Sequence, residues 1–209
     1  MGVKCSQSIA EIREQARTKN TNSAGNDRVR SLEYDIQQAI TEADGFDLIT
    51  MGRPEGPHCY CAVNNLLRQF LDKLSSSYEF IVIDNEAGME HLSRRTTNNV
   101  DILCIVSEAT ALGAITTQRI FELAKKLPII VNRIGVVWNR YQEMTDDNIT
   151  SKFQAVENFG IIPYNKTVLE MSITGKTIFE LDDNNSVLSA IRELTKLKMN
   201  FGKTKVKSS

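Results

Sequence analysis

The chain has 209 residues, 41% hydrophobic and 24% charged, values that fit one folded domain with a real core. Its 25 Lys and Arg nearly balance 26 Asp and Glu, so there is no basic field to draw in nucleic acid or a membrane surface. Four cysteines are too few for a disulfide scaffold, the N-terminus lacks an apolar signal segment, and no apolar run approaches the roughly 18 residues that span a bilayer; the expected location is the cytoplasm.

Residues 1–30 read as a polar leader, with an Asn-, Ser- and Gly-rich loop over 17–30. Helical signal begins at Ser31, a capping residue type, and Leu32, Ile36, Ile40 and Ala43 recur at the spacing of one helix face. A short apolar run, FDLITM over 46–51, leads into the rigid polar turn GRPEGPH and on to Cys59 and Cys61. Val63, Leu66, Leu67, Phe70, Leu71 and Leu74 then mark an amphipathic helix that stops at the serines of 75–77.

EFIVIDNEAG over 79–88 and DILCIVSEA over 101–109 are near-continuous apolar runs, the pattern of strands buried on both faces of a parallel sheet, with Cys104 in the core. Residues 110–126 read as a helix with Ile115, Ile120, Leu123 and Ala124 inward, and IGVVWNR over 134–140 as a strand. A helix over 147–158, a short strand from Gly160 and a last helix over 185–199, with Val187, Leu188, Ile191, Leu194 and Leu197, complete a domain over 31–199. Residues 200–209 form a basic, solvated tail.

Strands alternating with helices imply βαβ units, hence an α/β fold with a mostly parallel sheet flanked by helices. Ligands of such sheets sit beyond the carboxyl ends of the strands. The notable polar groups all fall at those ends: residues 53–61, Asp84 to Gly88, Asn139 with Arg140, and Pro163 with Tyr164 and Asn165.

A phosphate loop of the form Gly-x-x-x-x-Gly-Lys-Ser/Thr, whose backbone N–H groups cradle phosphate, is missing. Gly175-Lys176-Thr177 has Glu170 where the first glycine belongs, and Gly202-Lys203-Thr204 has Leu197 there; both read as turns with an exposed lysine. Asp84, straight after the apolar FIVI, stands where a nucleotide enzyme places a magnesium-facing carboxylate, and Gly88 would let backbone approach a terminal phosphate. Cys59 and Cys61 can point two thiolates at one zinc, nickel or copper(I) ion, with the remaining ligands from His58, water or a second chain; two half-buried thiols beside a turn are the other reading.

Taken together, MGRPEGPHCYC over 51–61, NNLLR over 64–68 and IDNEAGMEHLSRRT over 83–96 resemble the nickel-insertion accessory ATPases of carbon monoxide dehydrogenase, within the ParA/MinD-like class of phosphate-loop NTPases; the similarity runs from roughly residue 8 to residue 198. The resemblance implies a dimerising, ATP-hydrolysing accessory protein with carbon monoxide dehydrogenase as client. It assigns nickel or zinc to Cys59 and Cys61 across a homodimer interface and magnesium to the catalytic Asp84. It places the nucleotide against Gly88, the adenine-reading Asn139 with Arg140, and Pro163 and Tyr164. Glu86, Glu90, His91 and Arg94 fall in a switch-like stretch. Two features depart from the family. Its opening strand and two-lysine glycine-rich loop have no counterpart before residues 11–19, and His58 stands where a glycine is usual. The expectation is an N-terminally truncated fold whose central strand is lost, with two alternatives: a non-enzymatic nickel- or zinc-binding dimer, or a nonfunctional fragment.

Overall fold

A computed structural model of the chain describes residues 5, 7–18, 25–52, 69–70, 74, 77–85, 99–127, 129–142 and 156–199. It divides into two units, Met1–Asn98 and Asn99–Ser209.

In the first unit, Ser8 and Glu11 cap each other. The Ser8 N–H donates to Glu11 Oε2 (2.7 Å) and the Glu11 N–H to Ser8 Oγ (3.3 Å), which satisfies donors that a helix start leaves open. Helix α1 follows over Ile9–Thr18. The N–H groups of Ile9 and Ala10 donate to the carbonyls of Thr50 and Met51, 2.9 Å each. The next residue, Gly52, has φ 68°, and a Cβ there would lie 2.7 Å from Ser8 Oγ, so this close approach needs glycine. Helix α2 spans Gly25–Gln38. Ile9, Ile12, Ile36, Ala39 and Phe70 form the core, with Leu32, Ile40, Ile49 and Leu74 packed around it. Strands β1 (Thr41–Ala43) and β2 (Phe46–Leu48) make an antiparallel hairpin around Asp44 and Gly45. The Tyr78 hydroxyl donates to the Asp47 carboxylate, which together with burial raises the phenol's pKa.

Several expectations change in this unit. Residues 17–18 and 25–30, read as loop, are helical, and Ser31 lies inside α2 instead of capping it. Burial of Ile36 against Ile9 and Ile12 supplies the tertiary packing that outweighs weak local helix preference. Ala43 has left the helix for β1. Residues 79–85 carry no regular secondary structure, and Val82 is 90% exposed. An apolar run becomes a strand only when neighbours take its N–H and C=O groups, and the described strands of this unit are the two short members of the hairpin. Of the helix read over 63–74, Gln69, Phe70 and Leu74 are described, all helical, with Phe70 in the core.

The second unit is a parallel sheet of β3 (Asn99–Glu108), β4 (Ile130–Tyr141) and β5 (Glu157–Pro163), in the order β3-β4-β5. Helix α3 (Ala111–Lys126) connects β3 to β4. It is capped where Thr110 Oγ1 accepts from the Gly113 N–H (3.0 Å), and Lys125 and Lys126 sit at its negative end. Helix α4 (Lys166–Thr174), a 3₁₀ turn (Ile178–Glu180) and helix α5 (Ser186–Met199) follow β5, and α5 packs on it. The core gathers Ile105, Ala109, Phe121, Val136, Trp138 and Val156, with Trp138 fully buried. These are the α/β fold and parallel sheet read from the sequence.

The inward face of α3 is Ala114, Thr117, Phe121 and Ala124, while Ile115 is 50% exposed. Thr117 takes a central slot of the stripe, so a polar residue conceals the register from a hydrophobic pattern. Cys104 is exposed, not core: β3 alternates, with Ile105 buried and Cys104 and Val106 on the open face. Packing around its Sγ still pushes the Cys104 thiol up, opposed by the nearby Arg133 charge. Glu157 and Asn158 open β5 instead of ending a helix; residues 143–155 lie outside the described set. On α5, Ile191 is exposed, while Val187, Leu188 and Leu194 are half-buried.

Candidate nucleotide site

Two Asn-Arg pairs, seven residues apart in sequence, mark opposite ends of β4. At the amino end, Asn132 Nδ2 donates to Asp101 Oδ1 of β3 (3.2 Å), and Arg133 forks onto Glu157 of β5, a hydrogen bond that raises the guanidinium's already high pKa. These contacts staple the three strands together. At the carboxyl end, Asn139 and Arg140 do something different.

The β4–β5 register runs Val137↔Gly160 and Trp138↔Ile161, then slips before resuming at Tyr141↔Pro163. The slip is a bulge at Asn139 and Arg140, and Arg140 adopts φ 54°, the one positive value at a non-glycine among the described residues. Asn139 Oδ1 accepts from the Arg140 N–H (3.0 Å), tying the amide to the bend. The Arg140 guanidinium reaches Glu108 at the end of β3, Nη1 to Oε1 3.3 Å, where Glu108 is the register partner of Asn139. On the other side the Tyr164 N–H donates to the Tyr141 carbonyl (2.8 Å), so Pro163 and Tyr164 leave the sheet directly beside the bulge. Tyr164 is 42% exposed, its ring available to a ligand.

Four of the predicted nucleotide residues, Asn139, Arg140, Pro163 and Tyr164, thus stand together at adjacent strand ends. Asn165 does structural work beside them: its Oδ1 accepts from the Val168 N–H (3.2 Å) to cap α4, and its Nδ2 donates to Ser186 Oγ at the start of α5 (3.3 Å). Sequence reasoning passed over Glu108. The signal was an acid at the end of an apolar run, SEA after DILCIV, the same pattern that singled out Asp84.

Asp84 is exposed in the first unit, after the apolar residues 80–83. One open carboxylate is a donor set that magnesium accepts, since the ion keeps waters and takes further oxygens from phosphate. Gly88, His58, Cys59, Cys61, Glu86, Glu90, His91 and Arg94 lie outside the described residues. The Gly175-Lys176-Thr177 triplet is a turn, as read. Gly175 is the left-handed C-cap of α4 (φ 70°), Thr177 caps the 3₁₀ turn, and Lys176 pairs with Glu180 (3.7 Å). No described helix is long and apolar enough to cross a membrane.

The chain is 38% identical over 201 residues to an uncharacterized ATP-binding protein of Methanocaldococcus jannaschii, covering 93% of this chain and 79% of that one. It is 28% identical over 166 residues to the carbon monoxide dehydrogenase accessory protein CooC of Rhodospirillum rubrum, covering 75% and 62%. Its fold matches the cell division ATPase MinD of Pyrococcus furiosus with a TM-score of 0.62 at 15% identity, over 94% of this chain and 77% of that one. No protein-family model matches the chain.

Proposed function

We propose that the chain, which belongs to one family with the ATP-binding protein of Methanocaldococcus jannaschii and shares the fold of MinD, is an accessory protein that couples adenine-nucleotide binding to the loading of nickel into carbon monoxide dehydrogenase. The convergence of Asn139, Arg140, Pro163 and Tyr164 at the ends of β4 and β5 carries the nucleotide part. An Asn amide pairs with the N6/N7 edge of adenine, and a Tyr ring and a guanidinium plane both stack on bases. Similarity to the CooC protein and the Cys-x-Cys spacing of Cys59 and Cys61 support the metal part.

In this reading nickel or zinc is cargo, held by Cys59 and Cys61 of two copies, whose four thiolates complete a tetrahedral set. Asp84 would hold magnesium, which when bound offsets charge on the phosphates. Gly88, having no Cβ, would let backbone approach the terminal phosphate. Turnover of ATP needs a cradle of backbone N–H groups with a lysine, and because that pattern is missing from the sequence, the proposal rests on binding and not on hydrolysis. A non-enzymatic metal-binding dimer is the second reading, carried by the Cys-x-Cys element itself.

Calorimetry tests the proposal. At about −0.3 kcal/mol per non-hydrogen atom, an adenosine of about 19 such atoms gives roughly −6 kcal/mol, a Kd on the order of 0.1 mM for base and ribose alone. ADP should bind at least that tightly, and Asn139→Ala should weaken it about tenfold. No heat at millimolar ADP overturns the nucleotide part. Nickel or zinc should bind at one ion per two chains and be lost in Cys59→Ala or Cys61→Ala. Metal binding without ADP binding selects the second reading, and a metal-free monomer overturns both.

A further inference from the structure

The bend at the end of β4 is held from two sides. Arg140 sits at φ 54°, a region where a Cβ is unfavourable and which persists only when the surroundings impose it. One restraint is local, from the Arg140 N–H to Asn139 Oδ1 (3.0 Å). The other is distant in sequence, from the Arg140 guanidinium to Glu108 on the neighbouring strand (3.3 Å). Glu108 is itself fixed: its carbonyl accepts from the Thr110 N–H at 2.8 Å, and a Cβ on Gly113 would lie 2.1 Å from that oxygen. A side chain rooted in this fixed backbone therefore reaches the strained residue next to the base-reading amide. As a stability device this is a poor arrangement, because both side chains are more than half exposed and such pairs contribute little to folding.

The bond inside the bend also fixes what Asn139 presents. With Oδ1 tied to the Arg140 N–H, the amide cannot flip, and among the described residues its Nδ2 donates to no protein group. A locked amide offers its NH₂ to the N7 of a purine and the second lone pair of its oxygen to the atom beside it. Adenine places a donor there, its N6 amine; guanine places an acceptor, its O6. If the bend relaxes, the amide is free to turn and the distinction fades.

We propose that Glu108 is a positioning residue for base recognition, acting through Arg140 to hold the left-handed bend that locks the Asn139 amide and selects adenine over guanine. The inference rests on the nucleotide reading above. Glu108 touches no base; it governs the conformation of the residue that does.

The test is titration of the full chain with ADP and with GDP, comparing wild type with Glu108→Ala, Arg140→Gly and the double variant. Glu108→Ala should weaken ADP about threefold, the scale of an exposed ion pair, and leave GDP unchanged, so the preference narrows. Glycine adopts a positive φ without restraint, so with Arg140→Gly as the baseline, which removes the guanidinium's own contact, adding Glu108→Ala should weaken ADP no further. A general structural role would lower both nucleotides together and would persist in the Arg140→Gly background. Fluorescence of the buried Trp138 checks that each variant is folded, and Glu108→Gln, which keeps the shape, replaces Glu108→Ala if that variant is not. An unchanged ADP-to-GDP ratio in a folded variant, or a double variant weaker for ADP than Arg140→Gly alone, overturns the proposal while leaving the nucleotide reading intact. Wild type that binds neither nucleotide overturns that reading and this inference with it.

Discussion

Gly135 sits in the middle of β4, where a Cβ would lie 2.5 Å from two carbons of the Phe159 ring on β5. Comfortable carbon contacts are about 3.5–4.0 Å, so Gly135→Ala creates an overlap of roughly 1 Å. The ring has little room to retreat: Phe159 is buried, and the Arg133 guanidinium lies 5.0 Å from its centroid. Overpacking of this kind costs about 1–3 kcal/mol. Taking ~2 kcal/mol and a urea slope of ~1.5 kcal/mol/M, the midpoint should fall by about 1.3 M with the slope unchanged. Trp138, the sole tryptophan, is fully buried in this unit and reports its unfolding by fluorescence. Phe159→Leu alone should cost about 1 kcal/mol as a core truncation. In the double variant the smaller side chain makes room for the new methyl, so the two losses should fall short of their sum by about 1–2 kcal/mol. A midpoint shift below about 0.3 M for Gly135→Ala, or strict additivity in the cycle, would refute the β4–β5 packing described above.

Gly113→Ala should be at least as damaging, about 2–3 kcal/mol in the same melt, because its Cβ meets the Glu108 carbonyl, a backbone atom that no rotamer change can move; a neutral result would mean the α3 start is misplaced. Glu11 is held below its ordinary pKa of 4.5, chiefly by the Ser8 N–H and then by the Ser8 hydroxyl. The folded state therefore binds that proton less readily than the unfolded one. Its contribution is complete above about pH 4.5 and is lost as pH falls through the lower folded value. Protection of the Ser8 and Glu11 amides from hydrogen exchange should drop across that range in wild type, and Glu11→Gln should abolish the pH dependence. Cys104, with its pKa raised by burial, should alkylate more slowly at pH 7.5 than a free thiol despite its exposure; labelling at the free-thiol rate would contradict this. Lys176→Ala should leave ADP affinity unchanged within twofold, since that lysine belongs to a helix C-cap; a tenfold loss would restore the triplet as a phosphate contact.

Much of the second unit was legible because each signal there is local. The apolar runs of β3 and β4 and the asparagine that caps α4 act over a few residues, and the polar groups at the carboxyl ends of the strands mark the proposed site. The reading failed where a partner decides the outcome. FIVI has the composition of a buried strand, yet residues 79–85 form none, because composition cannot supply the neighbour that accepts its hydrogen bonds. Cys104 was placed in the core because an apolar run does not reveal how many faces of the sheet are covered. The cap at Ser8 and Glu11 was readable as a serine followed three residues later by a glutamate, but it sits in a polar leader where Ile9 and Ile12 are the only strong apolar pair. The bend at Arg140 has no signature of composition at all: positive φ is expected of glycine, and here it is imposed on an arginine by Asn139 and Glu108.

The central claim is that a nucleotide base docks at the bulged end of β4 beside the exit of β5. Amide chemical-shift mapping by NMR tests it most directly, with ADP titrated into the full-length, isotopically labelled chain. The account predicts that the largest saturable shifts fall on Asn139, Arg140, Tyr141 and Tyr164, with Asn132 and Arg133 at the opposite end of β4 unmoved. Shifts concentrated on Gly175, Lys176 and Thr177, or at the Asn132 end of the sheet, would contradict it.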